Sequence, residues 1–170
     1  MQIIGKDGQE VELKILGYEF PNETRDEWDS NWLRIYLIVK SNLGSWQTVD
    51  SSLTTWEFKQ LADWFKDLSE NKEVEYSDMT FVEPNLAFEL IERGEKTKTI
   101  QLRFDYESKP KSADSDKDYF INFQFTNDDL AKIATESRNE YDKFPVRPLL
   151  QTQSEVSKDK KEKKPWWQLW

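Results

Sequence analysis

Four apolar residues at strict two-residue spacing, Leu33, Ile35, Leu37 and Val39, restrict this chain more than any other feature. A period of two places them on one face of an extended strand, whereas a helix would scatter them around its circumference. The opposite face holds Trp32, Arg34, Tyr36, Ile38 and Lys40, a mixture that predicts partial cover there too. Asn42-Leu43-Gly44 supplies a short turn, and Trp46 to Val49 reads as the return strand. Upstream, Val11, Leu13 and Ile15 alternate with Glu12 and Lys14, which predicts an earlier strand running towards Tyr18 and Phe20.

Thr54-Thr55-Trp56-Glu57 then has the form of a capping box, in which hydroxyl and carboxylate satisfy free backbone donors reciprocally. Phe58, Leu61, Ala62, Phe65 and Leu68 follow at helical spacing, with Trp64 at the margin of that face and an end expected near Ser69 to Lys72. Further strands are expected at Val74-Tyr76 to Phe81, Leu86-Phe88-Leu90, Ile100-Leu102-Phe104-Tyr106 and Ile121-Phe123-Phe125. Arg93-Gly94-Glu95 is a turn, and Glu83-Pro84-Asn85 suits a connection because Pro fixes φ and Asn tolerates turn geometry. Glu107 to Lys117, aperiodic and containing Pro110, predicts a mobile loop. Asn127 is the expected cap of a second helix with the face Leu130, Ile133, Ala134, Ser137 and Tyr141, ended by Phe144-Pro145. No internal repeat is visible. The expectation is an α+β domain over residues 1–148, a mostly antiparallel sheet of about six to seven strands with two helices packed on it. Residues 149–170 then form a flexible Lys-rich tail with a Trp-rich end.

Composition narrows the chemistry. The 170 residues include no Cys and no His, which removes disulfides, thiol and imidazole nucleophiles and the usual zinc sites. No Gly-rich phosphate loop precedes a helix, and no cofactor is implied. The start lacks a basic region followed by an apolar run, and no stretch has the length of a membrane-spanning helix, so a cytoplasmic location is expected. Formal net charge is −9; residues 158–164 hold five Lys against two acids, which leaves −12 on residues 1–157. An acidic body repels phosphates and so disfavours nucleic acid; it favours a basic protein partner, or solubility alone.

Three clusters invite a functional reading. Glu23, Asp26, Glu27 and Asp29 place four carboxylates within seven residues, but the spacing is not that of an EF-hand loop and no metal site is assigned. A solvated loop or a protein-binding loop remain the two readings of this segment. Asp114, Asp116 and Asp118 form a second acidic group in the long loop. Trp28, Trp32, Trp46 and Trp56 are expected to pack one end of the sheet against the first helix, and any one left exposed would make an interface anchor. At the C-terminus, Trp166, Trp167 and Trp170 follow the lysines and have three readings: an interfacial membrane contact, a docking peptide, or a fold back onto the domain.

Six blocks in order carry a family resemblance: Gly17-Tyr18-Glu19-Phe20-Pro21, Trp28 to Leu33, Leu53 to Glu57, Leu61 to Trp64, Phe81 to Glu89, and Phe144 to Arg147. Together, over roughly residues 11–147, they resemble the WapI-type immunity proteins of bacterial polymorphic toxin systems; the tail lies outside the match. The resemblance implies a small intracellular protein, without catalysis, that binds and neutralises a cognate toxin domain, often a nuclease. It assigns no contact residues. The acidic segments Glu23, Asp26, Glu27, Asp29 and Asp114, Asp116, Asp118 are the expected partner contacts, pairing with Lys or Arg that grip the toxin's substrate. Two other readings stand beside it: a membrane-associated adaptor working through the tail, and a carboxylate-based hydrolase.

Overall fold

Two antiparallel meanders of four strands divide the chain, and each runs straight into a 15-residue helix. The computed structural model describes residues 1–149. The first meander comprises β1 (Gln2–Ile4), β2 (Glu10–Tyr18), β3 (Trp32–Ser41) and β4 (Gly44–Thr54), with the short helix α1 (Glu27–Asn31) between β2 and β3. It continues into α2 (Thr55–Ser69). The second comprises β5 (Asp78–Thr80), β6 (Leu86–Arg93), β7 (Thr97–Phe104) and β8 (Tyr119–Thr126), and continues into α3 (Asn127–Tyr141). Strand order within each sheet follows the sequence.

Alternation decides what each strand buries. Val11, Leu13 and Ile15 of β2 oppose Val39, Leu37 and Ile35 of β3, and all six are buried. A bulge between Ile15 and Gly17 shifts the register, and Gly17 takes the positive φ of 152° there. In the second sheet Leu86 and Phe88, then Ile100, Leu102 and Phe104, then Ile121, Phe123 and Phe125 form the buried face. Both faces join one core with the stripes Phe58, Leu61, Phe65 and Leu68 of α2 and Leu130, Ile133 and Ala134 of α3. Edge-to-face aromatic contacts cross between elements: Phe65 of α2 meets Phe88 at 5.6 Å, and Trp46 of β4 meets Phe104 at 5.3 Å.

Polar side chains stitch the two halves. Glu57 Oε1 accepts from the Val82 N–H at 2.7 Å, and Asn85 Nδ2 donates to Asp50 Oδ2 at 2.7 Å. The Asn85 carbonyl receives the Asp105 N–H and the Ser108 hydroxyl. Lys98, only 1% exposed, donates from Nζ to Asn71 Oδ1 at 2.7 Å and Asn127 Oδ1 at 2.6 Å, tying β7 to the ends of both helices. Burial, with the Arg93 charge nearby, holds its ammonium below the usual lysine range.

The α+β class and the antiparallel pairing stand as expected, with eight strands in place of six to seven. These strands form two sheets, because after β4 the chain enters α2 instead of turning back, and β5 opens a new sheet. The strand expected over Val74 to Phe81 contracts to Asp78–Thr80. Tyr106 leaves the strand expected for it and sits in a 3-10 turn (Tyr106–Ser108) at φ 47°, 68% exposed. Thr126, not Asn127, caps α3: its hydroxyl accepts from the Asp129 N–H at 3.2 Å while Asp129 Oδ2 accepts from the Thr126 N–H at 2.8 Å. Asn127 is freed for Lys98. The two capping boxes, Thr54 with Glu57 and Thr126 with Asp129, stand at equivalent places, so a four-strands-then-helix unit occurs twice.

Candidate partner-binding surface

The acidic segment 23–29 is a built platform. Glu23 Oε1 accepts from the N–H groups of Arg25 at 2.7 Å and Thr24 at 2.8 Å, which hold its carboxyl below the usual glutamate range. Asp26 caps α1, Oδ1 accepting from the Asp29 N–H at 2.9 Å. At the other end of α1, Ser30 and Asn31 are fully buried.

Arg147 clamps this platform from behind. Its guanidinium donates to three backbone carbonyls, Ser30 at 2.5 Å, Pro21 at 2.8 Å and Phe20 at 2.8 Å. It also lies 4.0 Å over the Tyr18 ring, whose hydroxyl donates to the Pro145 carbonyl. Asn31 completes the knot: Oδ1 accepts from the Arg147 N–H at 2.8 Å and the Thr55 hydroxyl at 3.1 Å, and Nδ2 donates to the carbonyls of Glu27 and Arg147. Four of the six resemblance blocks, those holding Tyr18, Asn31, Thr55 and Arg147, therefore meet at one point.

The platform points Asp26, Glu27, Trp28 and Asp29 outward, all exposed. Among the described residues none of these three carboxylates has an ion-pair partner, whereas Glu23 lies 3.8 Å from Arg25. Trp28 is 49% exposed and stands edge-on to Trp56, ring centroids 5.0 Å apart. The expectation that the four Trp pack at one sheet end holds in part. Trp32, Trp46 and Trp56 are half-buried, Trp46 facing the second sheet with Nε1 on the Ser108 carbonyl at 2.8 Å.

Members of the second acidic group line different hollows. Asp114 lines a hollow of about 650 Å³ between β4 and the 106–115 loop, and pairs with Lys117 at 3.5 Å. Asp118 lines a different hollow, beside Arg103 and Phe120. Asp116 stays at the loop tip, exposed, its N–H on Asp114 Oδ1. No hydrogen bond or ion pair among the described residues joins either group to the other.

A third acidic surface escaped the sequence reading. Asp63, Asp67, Glu75 and Asp78 line a hollow of about 440 Å³ between α2 and residues 74–80, floored by Trp64, Val74 and Met79. Asp63 and Asp67 at i and i+4 on the polar side of α2 were the available signal. Lys59, Arg138 and Lys72 neutralise those two, so this surface offers less free charge than the α1 platform.

Among the described residues no three carboxylates are grouped to hold a metal ion, and no helix is long and apolar enough to cross a membrane. Trp166, Trp167 and Trp170 lie outside the described residues.

A family model described as the immunity protein WapI-like family matches residues 2–145, which take in both sheets and all three helices. No curated protein and no solved structure matches the chain.

Proposed function

The chain belongs to the WapI-like immunity protein family, and on that premise we propose that it binds a cognate bacterial toxin domain, basic and of nuclease type, and covers the surface that grips the toxin's substrate. The family match carries this reading. Charge supports its direction: a nuclease must hold phosphates with Lys and Arg, and a chain of net charge −9 gains association rate and partner selectivity against such a surface. The protein supplies no chemistry in this role; it works in the cytoplasm by occlusion.

The proposed contacts are Glu23, Asp26, Glu27 and Asp29, then Asp114, Asp116 and Asp118. Within the first set Glu27 and Asp29 offer side chains with no hydrogen-bonding duty to α1, while Glu23 and Asp26 also hold the backbone in place.

The test is capture by the full chain from a lysate of the source bacterium, at low and then high salt. The expected result is a basic toxin domain retained at low salt and released at high salt, whose toxicity on expression is relieved by co-expressing the chain. Recovery of no toxin domain at either salt overturns the proposal. With the toxin in hand, Glu27→Lys/Asp29→Lys is expected to slow association about tenfold and flatten its salt dependence. Association rates unchanged at low salt would remove the α1 platform from the interface.

A further inference from the structure

Of the five Trp among the described residues, Trp28 alone is exposed. Trp64 is buried and Trp32, Trp46 and Trp56 are half-buried, and two of these have bonded indoles: Trp46 Nε1 donates to Ser108 O at 2.8 Å, and Trp64 Nε1 to Tyr76 O at 3.1 Å. Trp28 also stands on a fixed base. Its ring is braced edge-on by Trp56 at 84°, and its helix is capped by Asp26, rooted by fully buried Ser30 and Asn31, and clamped by Arg147. A side chain fixed in this way loses little rotamer entropy when a partner covers it. Two further apolar side chains are exposed at the clamp: Phe20, whose carbonyl accepts from Arg147, at 44%, and Val146, the chain neighbour of Arg147, at 43%. The rim is anionic, with Asp26, Glu27 and Asp29 unpaired by any cation among the described residues.

We infer that Trp28, flanked by Glu27 and Asp29, is the anchor through which the protein holds an arginine or lysine side chain of its partner. The inference rests on the immunity reading and adds to it the residue and the chemistry of the contact. A cation over an indole face gains from the ring quadrupole, and a flanking carboxylate pairs with the same charge. A neutral apolar partner would draw water away from the three carboxylates without pairing them, which is unfavourable. A basic partner satisfies both features of the surface together. An exposed apolar centre with a charged rim is also the anatomy in which a few residues dominate binding.

The experiment uses the full chain and the purified toxin domain recovered by the capture above, compared by surface-plasmon kinetics. Trp28→Ala is expected to weaken the complex about 30-fold or more, chiefly by faster dissociation, with little change in salt dependence. Trp28→Phe is expected to fall between, because a phenyl face attracts a cation less than an indole does. Glu27→Gln/Asp29→Asn is expected to reduce the salt dependence instead. Far-UV circular dichroism and the urea midpoint of each variant show whether α1 and its surroundings still fold. A folded Trp28→Ala that binds within threefold of the wild type overturns the anchor and leaves the immunity role intact. Failure of the unmodified chain to capture any basic toxin overturns both.

Discussion

Glu57 gives the sharpest test of how this fold is held together. Its side chain is 5% exposed and serves three donors: Oε2 takes the Thr54 N–H and the Thr54 hydroxyl, each at 2.8 Å, and Oε1 takes the Val82 N–H at 2.7 Å. One carboxylate thus caps α2 and ties the first half of the chain to the connection before β6. Replacement by alanine strands the Thr54 N–H, because Thr54 is fully buried and water cannot take over. Losing charge-assisted hydrogen bonds at a buried cap costs about 2–3 kcal/mol. The Val82 amide belongs to an exposed residue and adds about 1 kcal/mol, since solvent substitutes there. Glu57→Ala is therefore expected to lose about 3–4 kcal/mol, roughly 10 °C in Tm for a domain of this size. Glu57→Gln keeps one acceptor oxygen and is expected to lose about half as much. Urea unfolding followed by far-UV circular dichroism measures both. A Glu57→Ala variant within 1 kcal/mol of the wild type would show that the cap and the cross-link are incidental, and the reasoning would fail.

Arg147→Ala removes donors to the carbonyls of Phe20, Pro21 and Ser30, so residues 20–31 should exchange amide hydrogens at least tenfold faster while β6–β8 stay protected. Equal protection across the chain would refute the clamp. Glu140 is a pH probe: burial pushes its carboxyl upward, but Lys143 at 2.6 Å and the Ile15 N–H at 3.1 Å outweigh that and leave it below the usual glutamate range. A depressed carboxyl stabilises the fold above its unfolded value and loses that contribution as pH falls through the folded one. Glu140→Gln should accordingly be less stable than the wild type at pH 7, with the gap closing towards pH 3; a gap independent of pH would refute the linkage.

The elements were legible where one physical rule acts locally. Period-two burial located β2, β3, β6, β7 and β8, and the Thr54–Glu57 box placed the start of α2 to the residue. Errors arose where a distant contact decides. Asn127 and Thr126 are both good caps by sequence; Lys98, 29 residues upstream of Asn127, claims the first and leaves the second to the helix. The pattern from Val74 to Tyr76 is apolar enough for a strand, yet this stretch packs beside α2, where Trp64 Nε1 donates to the Tyr76 carbonyl. The split into two sheets has no local signature, because alternation states which side chains face inward and not which strands pair. The same limit applies to the α1 platform: acidic residues were evident, but carbonyls on either side of them are held by Arg147, more than a hundred residues away.

The chemistry of that clamp separates the shape of the platform from the side chains it displays. Arg147 binds carbonyl oxygens of Phe20, Pro21 and Ser30, groups that every residue type carries, so the platform is held without reference to the side chains it displays. Asn31 acts in the same way through the carbonyls of Glu27 and Arg147. Within residues 23–29 only Glu23 and Asp26 use their side chains to shape the backbone, and at position 26 Asn or Ser satisfies the same cap. Glu27 and Asp29 carry no such duty, and substitutions at these two are expected to leave the stability measured by urea unfolding within about 0.5 kcal/mol of the wild type; Trp28, edge-on to Trp56, adds packing of its own. A surface built in this way can exchange Glu27 and Asp29 without changing its fold, because its shape is fixed by backbone carbonyls and by the side chains of Glu23, Asp26, Asn31 and Arg147.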